Sequence, residues 1–230
     1  MNSIFFLQFI PSSIKHKVFE ATSGIAGCLL KRALLLLCLV CCCGGEIMGV
    51  NYTVNSTADP GSGSGTTGSL RYCITTANAT AGSHTISFSG LAAGSTITLS
   101  ATALPSITRT MVIDATTTTG WTNNAIGVTI DATSNTGNQV FNVVDVPGFE
   151  IYGFQIIGGT STSFGILING DNADNFKIGS INKRNVINRA TNTVVRVISA
   201  DNGFIQNNYI GCDFTGTIGY YSAPASGTCV

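Results

Sequence analysis

From about residue 50 onward, apolar positions come in short runs in which β-branched residues alternate with polar ones. The runs cover residues 52–54, 85–88, 96–99, 111–113, 128–130, 140–144, 165–168 and 194–198, and Gly, Asn, Asp and Thr divide them. Alternation of period two in Val, Ile and Thr predicts strands with one buried face. One stretch differs. Across residues 69–79, Leu70, Cys73, Ile74 and Ala77 fall at i, i+3, i+4 and i+7, which predicts a single short helix.

The strands repeat. A shift of 27 residues superposes segments that start at Val140, Leu167 and Val194. Phe141, Ile168 and Val195 then align, as do Ile151, Ile178 and Ile205. The turn dipeptides Pro147-Gly148, Asp174-Asn175 and Asp201-Asn202 share the register. Phe154-Gln155-Ile156, Asn185-Val186-Ile187 and Asn208-Tyr209-Ile210 also correspond once about four extra residues around 180–184 in the middle copy are allowed for. A repeat of this length built from strands and turns predicts a parallel β-helix solenoid. Phe141, Ile168 and Val195 are then expected to form one internal ladder, and Ile151, Ile178 and Ile205 another. About five coils fit between residues 85 and 211, a stack of roughly 24 Å at a strand spacing of about 4.8 Å. A β-sandwich with the same spacing would call for Asn-Gly hairpin turns between its strands. The helix of residues 69–79 is placed to cover the first coil, as an open sheet end requires. Residues 211–230 show no closing element, so the chain is expected to continue or to be truncated there.

Composition narrows the function. Charged residues are 10% of the 230, and 27 glycines accompany long runs of Thr, Ser and Asn. From Glu46 onward there are 7 basic and 10 acidic residues, a net charge of −3. That balance excludes a nucleic-acid partner held by phosphate attraction. Ahead of it, Lys31-Arg32 precede an apolar run over residues 33–43 and then Gly44-Gly45, the order of a secretory signal. Eleven apolar residues are too few to cross a bilayer, which takes about 20. Cleavage is expected between Gly44 and Gly49, leaving no transmembrane span. The first 30 residues are long for a signal's basic region and are either a mis-assigned start or a second apolar element. Ile25-Ala26-Gly27-Cys28 has the form of a lipoprotein box, but it precedes the apolar core.

Five of the eight cysteines lie in this leader. The remainder keeps Cys73, Cys212 and Cys229, of which Cys212 and Cys229 either pair in an oxidising compartment or stay as thiols. No zinc-type spacing is present among them.

Asn51-Tyr-Thr-Val through Gly68-Ser-Leu-Arg, then Ala77-Asn78-Ala79 and Thr85-Ile-Ser-Phe, resembles the N-terminal cap of secreted right-handed parallel β-helix proteins. Ile178-Gly179, Arg184-Asn-Val-Ile, Gly203-Phe-Ile-Gln-Asn-Asn-Tyr-Ile-Gly and the DFTGT of residues 213–217 resemble the repeats of the same pectate-lyase-like and polymorphic-outer-membrane-protein-like family. The resemblance spans most of residues 50–217. It implies a right-handed hand, and it leaves adhesins and carbohydrate-active enzymes both open. Cys212 stands where the family has Thr.

Candidate chemistry is sparse. A polysaccharide lyase needs Asp residues for calcium and an Arg or Lys base. Asp174 and Asp201, 27 apart, would stack one coil apart near Lys177, Arg184 or Arg196; as turn residues they would instead bond their own backbone. A glycosidase needs two carboxylates across a cleft; only two Glu, Glu46 and Glu150, follow the apolar run, with no adjacent Asp pair. His84 reads as a surface turn residue. Arg184, Arg189 and Arg196 read as a solvated face. Residues 61–68 lack the Lys-Ser/Thr of a phosphate loop. Trp121 and Tyr220-Tyr221 are candidates for sugar stacking or for packing. Thr116–Thr119 would make a flat hydroxyl surface, although Thr spacing is irregular across the coils. Asn51, Asn55 and Asn78 head glycosylation sequons that matter in a eukaryotic source.

These readings converge on an all-β, right-handed parallel β-helix solenoid with a short N-terminal capping helix. Residues 1–49 form the leader with its signal, 50–84 the first strand and capping helix, 85–217 the coils, and 218–230 an uncapped tail. The expected protein is secreted or displayed at the cell surface. It presents a Thr/Asn-rich surface to an extracellular polysaccharide or cell-surface glycan without enzymatic action. No catalytic, cofactor or metal residue is assigned. The alternatives are a lyase or hydrolase whose catalytic coils are missing or unrecognised, and a stalk with no ligand.

Overall fold

A computed structural model describes residues 48–59, 61–100, 102–158, 164–188 and 193–217. The leader with its apolar run, Arg189, Tyr220-Tyr221 and Cys229 lie outside the described residues.

The described chain is mostly β-strand: 43% strand against 8% helix, so sheets rather than helices carry its packing. It opens with β1 (Asn51–Ser56), the short hairpin strands β2 (Gly63–Ser64) and β3 (Thr67–Ser69), and helix α1 (Leu70–Ala79). Ser69 caps α1, its hydroxyl accepting from the Tyr72 N–H. The buried face of α1 is Leu70, Cys73, Ile74 and Ala77, as the spacing predicts.

Then follow β4 (His84–Ser87), β5 (Ser95–Thr98), β6 (Met111–Asp114), β7 (Val128–Ala132), β8 (Gln139–Val144), β9 (Glu150–Tyr152), β10 (Phe154–Gly158) and β11 (Phe164–Asn169). The last are β12 (Lys177–Ile178), β13 (Val186–Ile187), β14 (Thr193–Ile198), β15 (Phe204–Ile205) and β16 (Tyr209–Ile210). They pair into three sheets of order β15-β12-β9-β6-β4-β1-β3-β2, β16-β13-β10-β7-β5 and β14-β11-β8. All pairings are parallel except the β2–β3 hairpin. From β6 onward the chain visits the large, middle and small sheets in strict rotation, one strand in each per pass.

The predicted Ile ladder is present: Ile151 pairs with Ile178, and Ile178 with Ile205. The three motifs with the insertion also align, Gln155–Val186–Tyr209 and Ile156–Ile187–Ile210. The other ladder needs correction. Phe141 pairs with Ile166 rather than Ile168, and Ile166 with Val195; Ile168 instead joins Val143 and Val197. A slip of two residues keeps the same side chains inward, because strand periodicity is two. Ile166 and Ile168 are accordingly both buried.

Turns keep the passes in register. Gly148, Asn175 and Asn202, the second residues of the repeated dipeptides, all adopt left-handed φ of 67°, 57° and 55°. Glycine and asparagine tolerate that conformation where other residues strain. At the corner between large and middle sheets, buried Asn185 donates to the Ile151 carbonyl and accepts from the Phe154 N–H. Asn208 repeats this one pass later, bonding the Ile178 carbonyl and the Asn185 N–H. Between the sheets lies one core in which the Phe154 ring meets Phe88 and Phe141 edge-on at 5.3 and 5.7 Å.

Candidate functional site

Since Ile113, Ile151 and Ile178 point inward, their neighbours on β6, β9 and β12 point outward. Those neighbours are Asp114, Glu150, Tyr152 and Lys177. The outer face of the large sheet thus gathers two carboxylates, a lysine and a tyrosine. Lys177 Nζ donates to Glu150 Oε1 at 2.6 Å, and Tyr152 Oη donates to Glu150 Oε2 at 2.8 Å. Lys183 comes from the four-residue insertion between β12 and β13. Its Nζ lies 2.8 Å from Asp114 Oδ2 and 5.2 Å from the centre of the Tyr152 ring. The other Asp114 oxygen accepts from the Thr116 N–H and hydroxyl.

The insertion is a tight turn. Ser180 and Lys183 exchange backbone hydrogen bonds, Asn182 takes a φ of 62°, and Ile181 is exposed at the tip. Its outer side is tied to the loop after β6 by the Asn124 N–H on the Asn182 carbonyl. Asn207 joins the two, donating to Asn124 Oδ1 and the Ser180 carbonyl.

The electrostatics of this face are closed. Each carboxylate has a lysine, and Tyr152 is buried to 6% exposure. Burial pushes the Tyr152 phenol far above its usual 10, helped by its hydrogen bond to Glu150 and by the charges of Glu150 and Asp114; it stays a donor. Such a face holds polar atoms in fixed positions. It offers neither an unpaired carboxylate nor a base beside one.

The residues singled out from sequence fall elsewhere. Asp174 and Asp201 do occupy equivalent turns, but Asp174 Oδ1 accepts from the Asp201 N–H at 2.6 Å, so it ties one turn to the next instead of bonding its own backbone. Lys177 serves Glu150 instead of joining them. Arg184 lies over the Tyr209 ring at 4.2 Å and Arg196 over Phe164 at 5.3 Å, on the outer sides of two different sheets. They do not form one patch.

His84 is not a surface turn residue. It is 2% exposed within β4, where Nδ1 accepts from the Val50 N–H and Nε2–H donates to the Thr80 carbonyl. The Val50 donor fixes this neutral tautomer. Trp121 donates to the Ala125 carbonyl, closing its own loop. Thr116–Thr119 make no flat hydroxyl surface: Thr117 and Thr118 bond the carbonyls of Asp114 and Ala115 in a 3-10 turn.

Of the glycines in residues 61–68, Gly63 and Gly68 make room for the Tyr72 ring. A Cβ on Gly63 would come within 2.3 Å of the Tyr72 ring. Of the sequons, Asn51 and Asn55 are exposed on β1, whereas both ends of the Asn78 carboxamide are spent on Ser106 and Thr108. Cys73 is buried, which pushes its thiol up to about 11. Cys212 is half-buried; burial and then the charge of Asp213 raise it as well.

Sequence reasoning missed Asp114, Glu150, Tyr152 and Lys183. The one available signal was Lys183 inside a four-residue insertion. Nothing local ties it to Asp114, 69 positions earlier.

No helix of the described residues is long and apolar enough to cross a membrane, and no group of three metal-ligating side chains occurs among them. No protein-family model, curated protein or solved structure matches the chain.

Proposed function

We propose that this chain is an exported right-handed parallel β-helix whose large-sheet outer face contacts an extracellular or cell-surface glycan without turning it over. Rotation of successive strands, parallel-paired from β6 onward, through three sheets supports the fold. Parallel crossovers favour the right-handed course. Export rests on the apolar run of residues 33–43 after Lys31-Arg32.

The observation that carries the functional reading is the closed pairing on that face. Glu150–Lys177 and Asp114–Lys183 spend both carboxylates on lysines at 2.6 and 2.8 Å. A rigid row of polar atoms suits binding. Acid–base chemistry instead needs a group poised to exchange a proton. The Thr/Asn-rich surface expected from composition is a different candidate; this proposal puts the contact on the Glu/Lys/Tyr/Asp face because its polar atoms are fixed by the pairs above.

A second reading is a polysaccharide lyase or hydrolase at the same place. It is favoured by the gathering of two carboxylates, two lysines and a tyrosine on one side of a parallel sheet.

Residues 46–230 incubated with acidic and neutral polysaccharides, with and without Ca²⁺, separate the readings. Retention on a polysaccharide with no unsaturated or reducing-end product supports contact without turnover. Product that disappears in Glu150→Gln establishes the enzyme. A folded sample that neither binds nor cleaves overturns both and leaves a stalk.

A further inference from the structure

Tyr152 presents an aromatic ring on the outer face of a parallel sheet, yet it is only 6% exposed. Lys183 Nζ lies over the ring, 5.2 Å from its centre, and is held there by Asp114 at 2.8 Å. The ring has its own tether, the bond from its hydroxyl to Glu150, which is held in turn by Lys177. Removing Lys183 would therefore leave the ring's own tether in place.

The turn that carries Lys183 is anchored on its far side by Asn124 and Asn207. Only the lysine side chain needs to move. Its closure is weak, since that side chain is 40% exposed and its partner 12%; ion pairs open to water contribute little.

We propose that Lys183 is a strap over a preformed aromatic platform, latched by Asp114 and opened when a ligand's ring replaces the lysine on Tyr152. The ligand class rests on the glycan reading: the C–H face of a sugar ring packs on an aromatic face, and Glu150 and Lys177 alongside offer hydrogen-bond partners to its hydroxyls. A minor open state of about 0.1–10% is what such a closure provides for selection by ligand.

Hydroxyl-radical footprinting of the whole chain, read by mass spectrometry, tests the strap without any ligand. Asp114→Asn and Lys183→Ala are expected to raise labelling of Tyr152 several-fold. Tyr52, 2% exposed in the core, should stay at its wild-type level in both and so report an intact fold. Lys183→Met keeps an unbranched chain over the ring and should raise labelling less than Lys183→Ala.

Wild-type protein in 1 M NaCl gives an independent arm, because salt weakens the latch with no mutation to misfold. Tyr152 labelling that stays at the wild-type level in Asp114→Asn, in Lys183→Ala and in salt overturns the strap. Binding to cellohexaose and to an oligogalacturonate hexamer is read separately. Increased labelling with no binding to either sugar sinks the glycan assignment and leaves the strap standing.

Discussion

Lys183 Nζ lies 2.8 Å from Asp114 Oδ2 across 69 residues of sequence. Between them stands β9 with Tyr152, so the ion pair spans three neighbouring strands of the large sheet. A double-mutant cycle with Lys183→Met and Asp114→Asn should give a coupling of about 1 kcal/mol. It should shrink as salt is raised from 0.05 to 1 M. Urea midpoints read both, and a coupling indistinguishable from zero at low salt would show that the pair holds nothing.

A second ion pair is better shielded. Arg71 Nε and Nη2 each lie 3.0 Å from an Asp59 oxygen, and the side chains are only 17% and 2% exposed. The same guanidinium bonds the carbonyls of Thr102 and Ala103, and Ser100 donates its N–H to Asp59. One arginine thus joins α1 to two loops. Arg71→Met leaves the Asp59 carboxylate buried without its partner and should cost about 3 kcal/mol, seen as a lower unfolding midpoint.

Burial alone would raise the Asp59 carboxyl, but the hydrogen bonds from Arg71 and Ser100, with the arginine charge, hold it below its usual 3.8. The stability this carboxylate provides is complete above the unfolded value and is lost as pH falls through the lower, folded one. Unfolding free energy should therefore decline below about pH 4, and Asp59→Asn should flatten that decline while lowering stability at pH 7. An acid limb of equal slope in both proteins would assign the decline to other carboxylates.

Asn185 satisfies two backbone groups at a buried corner. Replacement by Ala orphans the Phe154 N–H, at about 1–3 kcal/mol, and leaves the Ile151 carbonyl with the Gly179 N–H as its remaining donor. Asn208→Ala, one pass nearer the end of the described stack, should cost less because Asn208 is only half-buried. Equal losses in the two variants would contradict this ranking by burial.

Cys73 should be inert in the native state. Its thiol is buried and pushed up to about 11, which leaves little thiolate at neutral pH. Iodoacetamide at pH 8 should modify it only on a timescale set by unfolding, with half-buried Cys212 reacting first. Modification of Cys73 as fast as Cys212 in native protein would show that α1 opens locally.

Much of this architecture is written in local signals. Period-two alternation marks the longer strands, and helical spacing picks out the buried side of α1. Turn residues tolerant of left-handed φ recur at Gly148, Asn175 and Asn202, which is why the Ile151–Ile178–Ile205 ladder is legible in advance. The Phe141 ladder lies two residues from the expected register because the strands of the small sheet do not recur at a constant 27: from Phe141 to Ile166 is 25 residues and from Ile166 to Val195 is 29. Alternation is blind to a shift of two, since it leaves the inward face unchanged.

His84 shows another limit. A polar residue before a strand reads as exposed, and only the approach of Val50 and Thr80 to its two ring nitrogens makes burial affordable.

The sequence by itself determined that the described residues build short strands at a near-constant period, with one helix after the first of them. Those are properties of neighbours within a few residues, where alternation, capping and turn chemistry act. Tertiary structure alone decided which outward side chains share a face. Glu150 meets Lys177 because their strands are in register, and Asp114 meets Lys183 because a four-residue turn reaches back over an intervening strand. No pattern along the chain encodes that meeting; it depends on the lateral stacking of strands that are distant in sequence.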